Sequence, residues 1–127
     1  MNKRILIVED DQFLREFYQE LLTAEGYFVD VTADGEDALT KIWGLEFDLI
    51  LLDIMLPKKD GIELLKELKN HPAKSSNVKI VILTNLGQDS VIKQCFDLGA
   101  EGYLIKSALN PDQVLQELKS YLQKPAE

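Results

Sequence analysis

A chain of 127 residues, 46% hydrophobic and 28% charged, is long enough to bury the core of one globular domain without disulfide or metal staples. Its net charge of −8 lies wholly in the first half: residues 1–60 hold 14 acids and 6 bases, whereas residues 61–127 hold 8 of each. An acidic surface repels phosphate backbones, which excludes direct nucleic-acid binding by this chain. The lone cysteine, Cys95, rules out an internal disulfide; no signal peptide or membrane span is legible, so a soluble, cytoplasmic protein is expected.

Along the chain, Ile5-Leu6-Ile7-Val8 is a continuous, β-branched run of the kind buried on both faces of a parallel sheet, and Glu9-Asp10-Asp11 follows it. Phe13/Leu14, Phe17/Tyr18 and Leu21/Leu22 then recur at helical spacing and stop at Gly26. Residues 27–32 alternate loosely, as an edge strand does. Asp34 is placed to cap a helix carrying Ala38/Leu39 and Ile42/Trp43, with Trp43 expected in the core. Leu49-Ile50-Leu51-Leu52 forms the next buried run and ends at Asp53.

Ile62, Leu65 and Leu68 mark a third helix ending near His71-Pro72, and helix termination accounts for that histidine. Ile80-Val81-Ile82-Leu83 is a third buried run, closed by Thr84. A fourth helix holds Val91/Ile92 and Cys95/Phe96 up to Gly99, with Cys95 read as a core thiol. Gly102 to Ile105 is a short second edge strand, followed by Lys106; Asn110-Pro111 opens the last helix, whose inward residues are Val114/Leu115, Leu118 and Tyr121/Leu122. The whole chain, residues 1–127, reads as a single domain, with residues 124–127 a tail or the stub of a linker.

Five alternating strands and helices predict a doubly wound (βα)₅ sheet with right-handed crossovers and a helix layer on each face. In such sheets ligands sit beyond the carboxyl ends of the strands. The residues found there are Glu9-Asp10-Asp11, Asp53, Thr84 and Lys106.

An acidic pair after the first strand, an aspartate opening Asp53-Ile54-Met55-Leu56-Pro57-Lys58-Lys59-Asp60-Gly61, then Thr84 and Lys106: this set resembles the receiver domain of two-component response regulators, over essentially the whole chain. The resemblance implies a flavodoxin-like three-layer α/β sandwich with strand order 2-1-3-4-5. It also implies a phosphorylation-dependent signalling switch that is not an enzyme in its own right, although it assists its own phosphoryl transfer and dephosphorylation.

Asp53 is then the acceptor, a carboxylate nucleophile toward phosphorus. Carboxylates gathered within several ångströms repel, and a hard cation such as Mg²⁺ relieves this with oxygen ligands. The expected ligands are Asp11 and Asp53 directly, Asp10 directly or through water, and, by resemblance, the carbonyl of Met55. Lys106 and Thr84 would neutralise and hold the phosphoryl oxygens. By the same resemblance the donor is a phosphohistidine on a sensor histidine kinase, and Tyr103, three residues before Lys106, is the switch aromatic alongside Thr84. The reading face would be the fourth helix, fifth strand and fifth helix, engaged by a downstream protein or a second copy of the chain.

Two positions depart from the family pattern: Asn85, where a small residue is usual after Thr84, and Ser107, where proline usually follows Lys106. Other functions fit less well. A flavodoxin needs a neutral, hydroxyl-rich phosphate loop after the first strand, a dinucleotide enzyme needs Gly-x-Gly-x-x-Gly there, and a haloacid-dehalogenase-like phosphatase needs an aspartate at position 55. The alternative that stays open is a receiver-shaped interaction module that signals without phosphorylation.

Overall fold

The computed structural model describes residues 2–123; the expected tail at 124–127 lies outside them. Five strands, β1 (Arg4–Val8), β2 (Phe28–Thr32), β3 (Leu49–Leu52), β4 (Lys79–Thr84) and β5 (Gly102–Ile105), form one parallel sheet in the order β2-β1-β3-β4-β5. They alternate with α1 (Gln12–Ala24), α2 (Gly35–Gly44), α3 (Gly61–Asn70), α4 (Asp89–Asp97) and α5 (Pro111–Gln123), with a short 3₁₀ turn at Lys106–Ala108. Fold class and strand order are those expected, with β2 and β5 at the edges. Among the described residues no helix is long and apolar enough to cross a membrane.

Side chains alternate across the pleat, so each inner strand feeds two cores. Leu6 and Val8 pack with Ile50 and Leu52 against Ala38, Leu39 and Ile42 of α2, Leu64 and Leu65 of α3, and Cys95 of α4. Ile5 and Ile7 join Leu49 and Leu51 on the other face, under Tyr18 and Leu22 of α1 and Val114, Leu115 and Leu118 of α5. All four residues of β3 are buried, which is why its sequence is an unbroken apolar run rather than an alternating one. Burial also pushes the Cys95 thiol up to about 11, so it is neutral and inert at neutral pH.

Three helices begin on an aspartate that accepts from the third residue inside: Asp11 from Leu14 N, Asp34 from Asp37 N and Asp60 from Glu63 N, the last with Glu63 reaching back to complete a capping box. Asn110 and Gln113 bond reciprocally at the start of α5. The N-terminus of α4 at Gln88 has no side-chain cap, and Cys95 is its sole buried side chain. Gly99, at φ 106°, ends α4 in a conformation that a side chain would strain.

Several aromatic residues lie elsewhere than their spacing suggests. Phe13 is 75% exposed and Phe17 37%, stacked on each other 6.3 Å apart; Phe96 is 46% exposed. Leu14, Tyr18, Leu21 and Leu22 occupy the inward stripe of α1, which leaves Phe13 and Phe17 on its flank, about 100° round the helix. Trp43 is half-buried, its ring stacked on His71 and its indole N–H donating to His71 O at 2.8 Å. His71 itself caps α3, its backbone N–H bonded to Glu67 O.

Thr32 is 3% exposed and its Oγ1 is buried without a hydrogen-bond partner among the described residues. A buried hydroxyl left unpaired costs about 1–3 kcal/mol. Thr32→Val keeps the shape and removes that group, so the urea unfolding free energy of the variant should rise by about 1 kcal/mol; a fall would show that the hydroxyl is paired in solution.

Candidate functional site

Parallel register builds the site. Val8 and Leu52 are paired across β1 and β3, so the next residues, Glu9 and Asp53, leave the sheet side by side. Thr84 and Ile105 are paired across β4 and β5, which brings Lys106 out at the same end. Glu9 and Asp53 are buried, at 4% and 7% exposure, and Thr84 at 1%.

Lys106 Nζ bonds to Asp53 Oδ2 at 2.8 Å and to Glu9 Oε1. The second oxygen of each carboxylate takes a backbone N–H: Asp53 Oδ1 from Met55 at 3.1 Å and Glu9 Oε2 from Asp11 at 3.1 Å. Beneath them Tyr18 shares with Glu9 and Asp53 a cavity of about 10 Å³ whose other walls are Ile7, Val8, Leu51 and Leu83. This apolar floor pushes the Glu9 carboxyl above its ordinary value by burial, against the opposing pull of Lys106. Burial alone would lower Lys106, but its bonds to Asp53 and Glu9 outweigh that and raise it.

Glu9, Asp10 and Asp53 each offer an oxygen within 4.8 Å of the others. Two like charges about 4 Å apart repel by about 4 kcal/mol at an effective dielectric near 20. One ammonium stands against three carboxyl groups. An all-oxygen donor set with this excess of negative charge suits a small, hard divalent cation, so the residues present fit the Mg²⁺ that the sequence implies.

The acidic pair sits one residue earlier than the sequence reading placed it. Asp11, expected as a direct ligand, is exposed and outside the cluster: its Oδ1 accepts from Leu14 N at 3.1 Å as the cap of α1. Glu9, to which the sequence reading gives no role, stands in the cluster with Asp10 and Asp53. The signal was present, because an aspartate directly before a helical stripe is a cap first, which leaves the two residues preceding it for the site.

The sequence matches the family model for the response regulator receiver domain over residues 5–119. It is 35% identical over 122 residues to the chemotaxis protein CheY of Treponema pallidum, covering 94% of this chain and 82% of that protein. With the transcriptional regulatory protein ResD of Bacillus subtilis it shares 31% over 124 residues, 98% of this chain but 50% of that protein, so it spans about half the length of such regulators. Among solved structures, the response regulator TrrA of Thermotoga maritima, in complex with Mg²⁺ and a beryllium fluoride, superposes with a TM-score of 0.79 at 34% identity, covering 94% of this chain and 98% of that one. The chain belongs to the response regulator receiver family. Its general role is that of a phosphorylation switch in two-component signalling.

In this receiver domain the loop after Asp53 is held from outside. Gly35, at the start of α2, lies under the carbonyl of Lys59, where an added Cβ would come within 1.9 Å of that oxygen. Lys58 takes a positive φ of 66°, and Lys59 pairs with Glu67 of α3. Met55, 61% exposed, follows Asp53 at the rim.

On the receiver's other flank, Thr84 Oγ1 accepts from Leu86 N at 3.5 Å, Asn85 is exposed, and Tyr103 OH donates to Leu86 O at 2.6 Å. The Tyr103 ring is partly buried, packed against the core on the α2/α3/α4 side of the sheet.

Charge crowding of this kind is measurable. Asp10→Asn removes one member of the cluster without touching Lys106, so in EDTA its melting temperature should exceed the parent's by a few degrees, and Mg²⁺ should narrow the gap. Asp11→Asn should change little in either condition, since asparagine caps a helix as well as aspartate does. A stabilised Asp11→Asn beside an unchanged Asp10→Asn would place the crowded carboxylate at Asp11 rather than Asp10.

Proposed function

We propose that this receiver domain takes a phosphoryl group from the phosphohistidine of a sensor histidine kinase onto Asp53, and passes the change to a partner through α4, β5 and α5. The observation that carries the reading is Asp53 itself: a buried carboxylate held by Lys106 on one oxygen, beside Glu9 and Asp10, whose oxygens complete a cation site. An Asp53 oxygen attacks phosphorus, the phosphorus–nitrogen bond of the donor breaks, and an acyl phosphate forms on the carboxylate.

Glu9, Asp10 and Asp53, with the carbonyl of Met55, would hold Mg²⁺. The cation supplies charge neutralisation to the phosphoryl oxygens. Lys106 leaves its carboxylate partners to meet one of those oxygens, and the Thr84 hydroxyl donates to another. The same groups assist the later hydrolysis, with exposed Asn85 setting access. Phe13, Phe17 and Met55, all exposed at this end, give a macromolecular donor apolar surface to rest on.

Output follows from how loosely the reading face is tied. A phosphoryl group shifts an equilibrium only through groups that contact it differently in two states. Thr84 is such a group, and Leu86, two residues on, is bonded both to Thr84 and to Tyr103. Drawing Thr84 toward phosphate changes what Leu86 and Tyr103 can hold, and α4, uncapped and anchored by Cys95, moves with the loop. The partner, a downstream protein or a second copy of the chain, meets a surface from the half of the sequence in which acids and bases balance.

Acetyl phosphate with Mg²⁺ should add one phosphoryl group to the parent, seen by intact-mass spectrometry, and none to Asp53→Asn. Full incorporation in that variant would remove Asp53 as acceptor, and none in either chain would favour an interaction module that signals without phosphate. Thr84→Ala and Tyr103→Phe should still take up phosphate. In both, NMR shifts of residues 86–105 on adding Mg²⁺ and beryllofluoride should be clearly smaller than in the parent; undiminished shifts would refute the relay through Leu86.

A further inference from the structure

Three successive carbonyls of the β1–α1 loop accept from one residue. Arg15 Nη1 donates to Glu9 O at 2.9 Å and to Asp10 O at 3.3 Å, and the Arg15 backbone N–H donates to Asp11 O at 2.9 Å. Arg15 is half-buried in the first turn of α1. A guanidinium so close to acidic residues ordinarily pairs with their carboxylates. Here the side chain binds main-chain oxygens, and among the described residues Arg15 is in no ion pair.

The distinction matters because Glu9 and Asp10 are pressed toward Asp53, and their mutual repulsion pushes the loop outward. A planar group with two hydrogens on one nitrogen can tie two consecutive carbonyls from behind while leaving the carboxylates free to face the cavity. The remaining fastenings of this segment are Glu9 N to Thr32 O at 3.1 Å, Asp11 N to the Glu9 side chain, the Asp11 cap on Leu14, and the Lys106 bond to the Glu9 carboxylate. Of these only the first precedes the acids, and none holds the Asp10 carbonyl.

We propose that Arg15 is a positioning residue, which fixes the β1–α1 loop so that Glu9 and Asp10 present their oxygens to a divalent cation together with Asp53. This rests on the reading of the site as Mg²⁺-dependent. Geometry and charge make opposite demands, which exposes the role to test. By charge alone a cation near a cation site weakens binding, so deleting Arg15 would tighten Mg²⁺. If Arg15 sets the loop, its deletion loosens Mg²⁺ despite the favourable change in charge.

The experiment is isothermal titration of the full chain with Mg²⁺, in the parent, Arg15→Met and Arg15→Lys, with folding checked by circular dichroism. Loss of a group that orients ligands typically weakens metal binding about 10–100-fold. The Kd of Arg15→Met should rise about 10-fold or more, and Arg15→Lys, which keeps the charge but not the two-hydrogen nitrogen of a planar fork, should recover only part of the loss. Phosphorylation by acetyl phosphate should need more Mg²⁺ for half-saturation in Arg15→Met yet approach the parent's maximal rate, a split that general destabilisation would not produce.

An unchanged or lower Kd in Arg15→Met overturns the proposal. If that variant does not fold, a parental Kd in Arg15→Lys overturns it equally. A parent that binds Mg²⁺ beside variants that bind it as well removes the positioning role alone, whereas a parent that binds no Mg²⁺ removes the reading of the site and this role with it.

Discussion

The level ends of β1 and β3 put Glu9 next to Asp53, and the electrostatic strain of that arrangement governs much of the molecule. Paired neighbours Val8 and Leu52 leave no freedom to stagger the two carboxylates, and the mostly apolar walls they share with Tyr18 keep them buried. Lys106 stands between them and is itself held in the charged state by both. A site assembled in this way is poised rather than satisfied. Its carboxylates are gathered at the expense of stability, and a cation or a phosphoryl group that changes the balance of charge is felt at once by every element whose end contributes a ligand.

How far that disturbance travels depends on how each helix is fastened. Aspartates cap α1, α2 and α3, and the loop after Asp53 is wedged against Gly35, so the side of the sheet nearest β1 and β3 is stiffly built. Beyond β4 the fastening thins. No side chain caps α4, one of its side chains is buried, and its approach through Leu86 depends on single bonds to Thr84 and Tyr103. Unequal anchoring gives a switch its direction, because a local change of contacts is absorbed where the structure is least cooperative.

The sequence made the elements of the fold visible because each inner strand is buried on both faces and so reads as a solid apolar run. Strand order was not visible in periodicity, which carries no information about neighbours; it came with the resemblance carried by Asp53, Thr84 and Lys106. The two acids of the site were harder to place, since Glu9-Asp10-Asp11 offers three candidates and only cap geometry assigns the third to the helix. Phe13, Phe17 and Phe96 satisfied helical spacing yet are exposed, for a helix buries a narrow stripe and residues one step beside it share its period without its shelter. The inward seat of Tyr103 hinges on a tertiary bond to Leu86 O, 17 positions away, which no local pattern encodes. Arg15 was invisible for the same reason: its partners are main-chain carbonyls, which every sequence possesses.

The contact between Trp43 and His71 bears on how this protein can be watched. The chain has one tryptophan, and its ring lies 4.6 Å from the imidazole at the carboxyl ends of α2 and α3, the edge of the domain remote from the acidic cluster. Its emission therefore reports on whether those two helix ends remain docked more than on events at Asp53. As an optical gauge it is suited to unfolding, and a spectroscopist seeking the signalling state would need to install a reporter near Leu86.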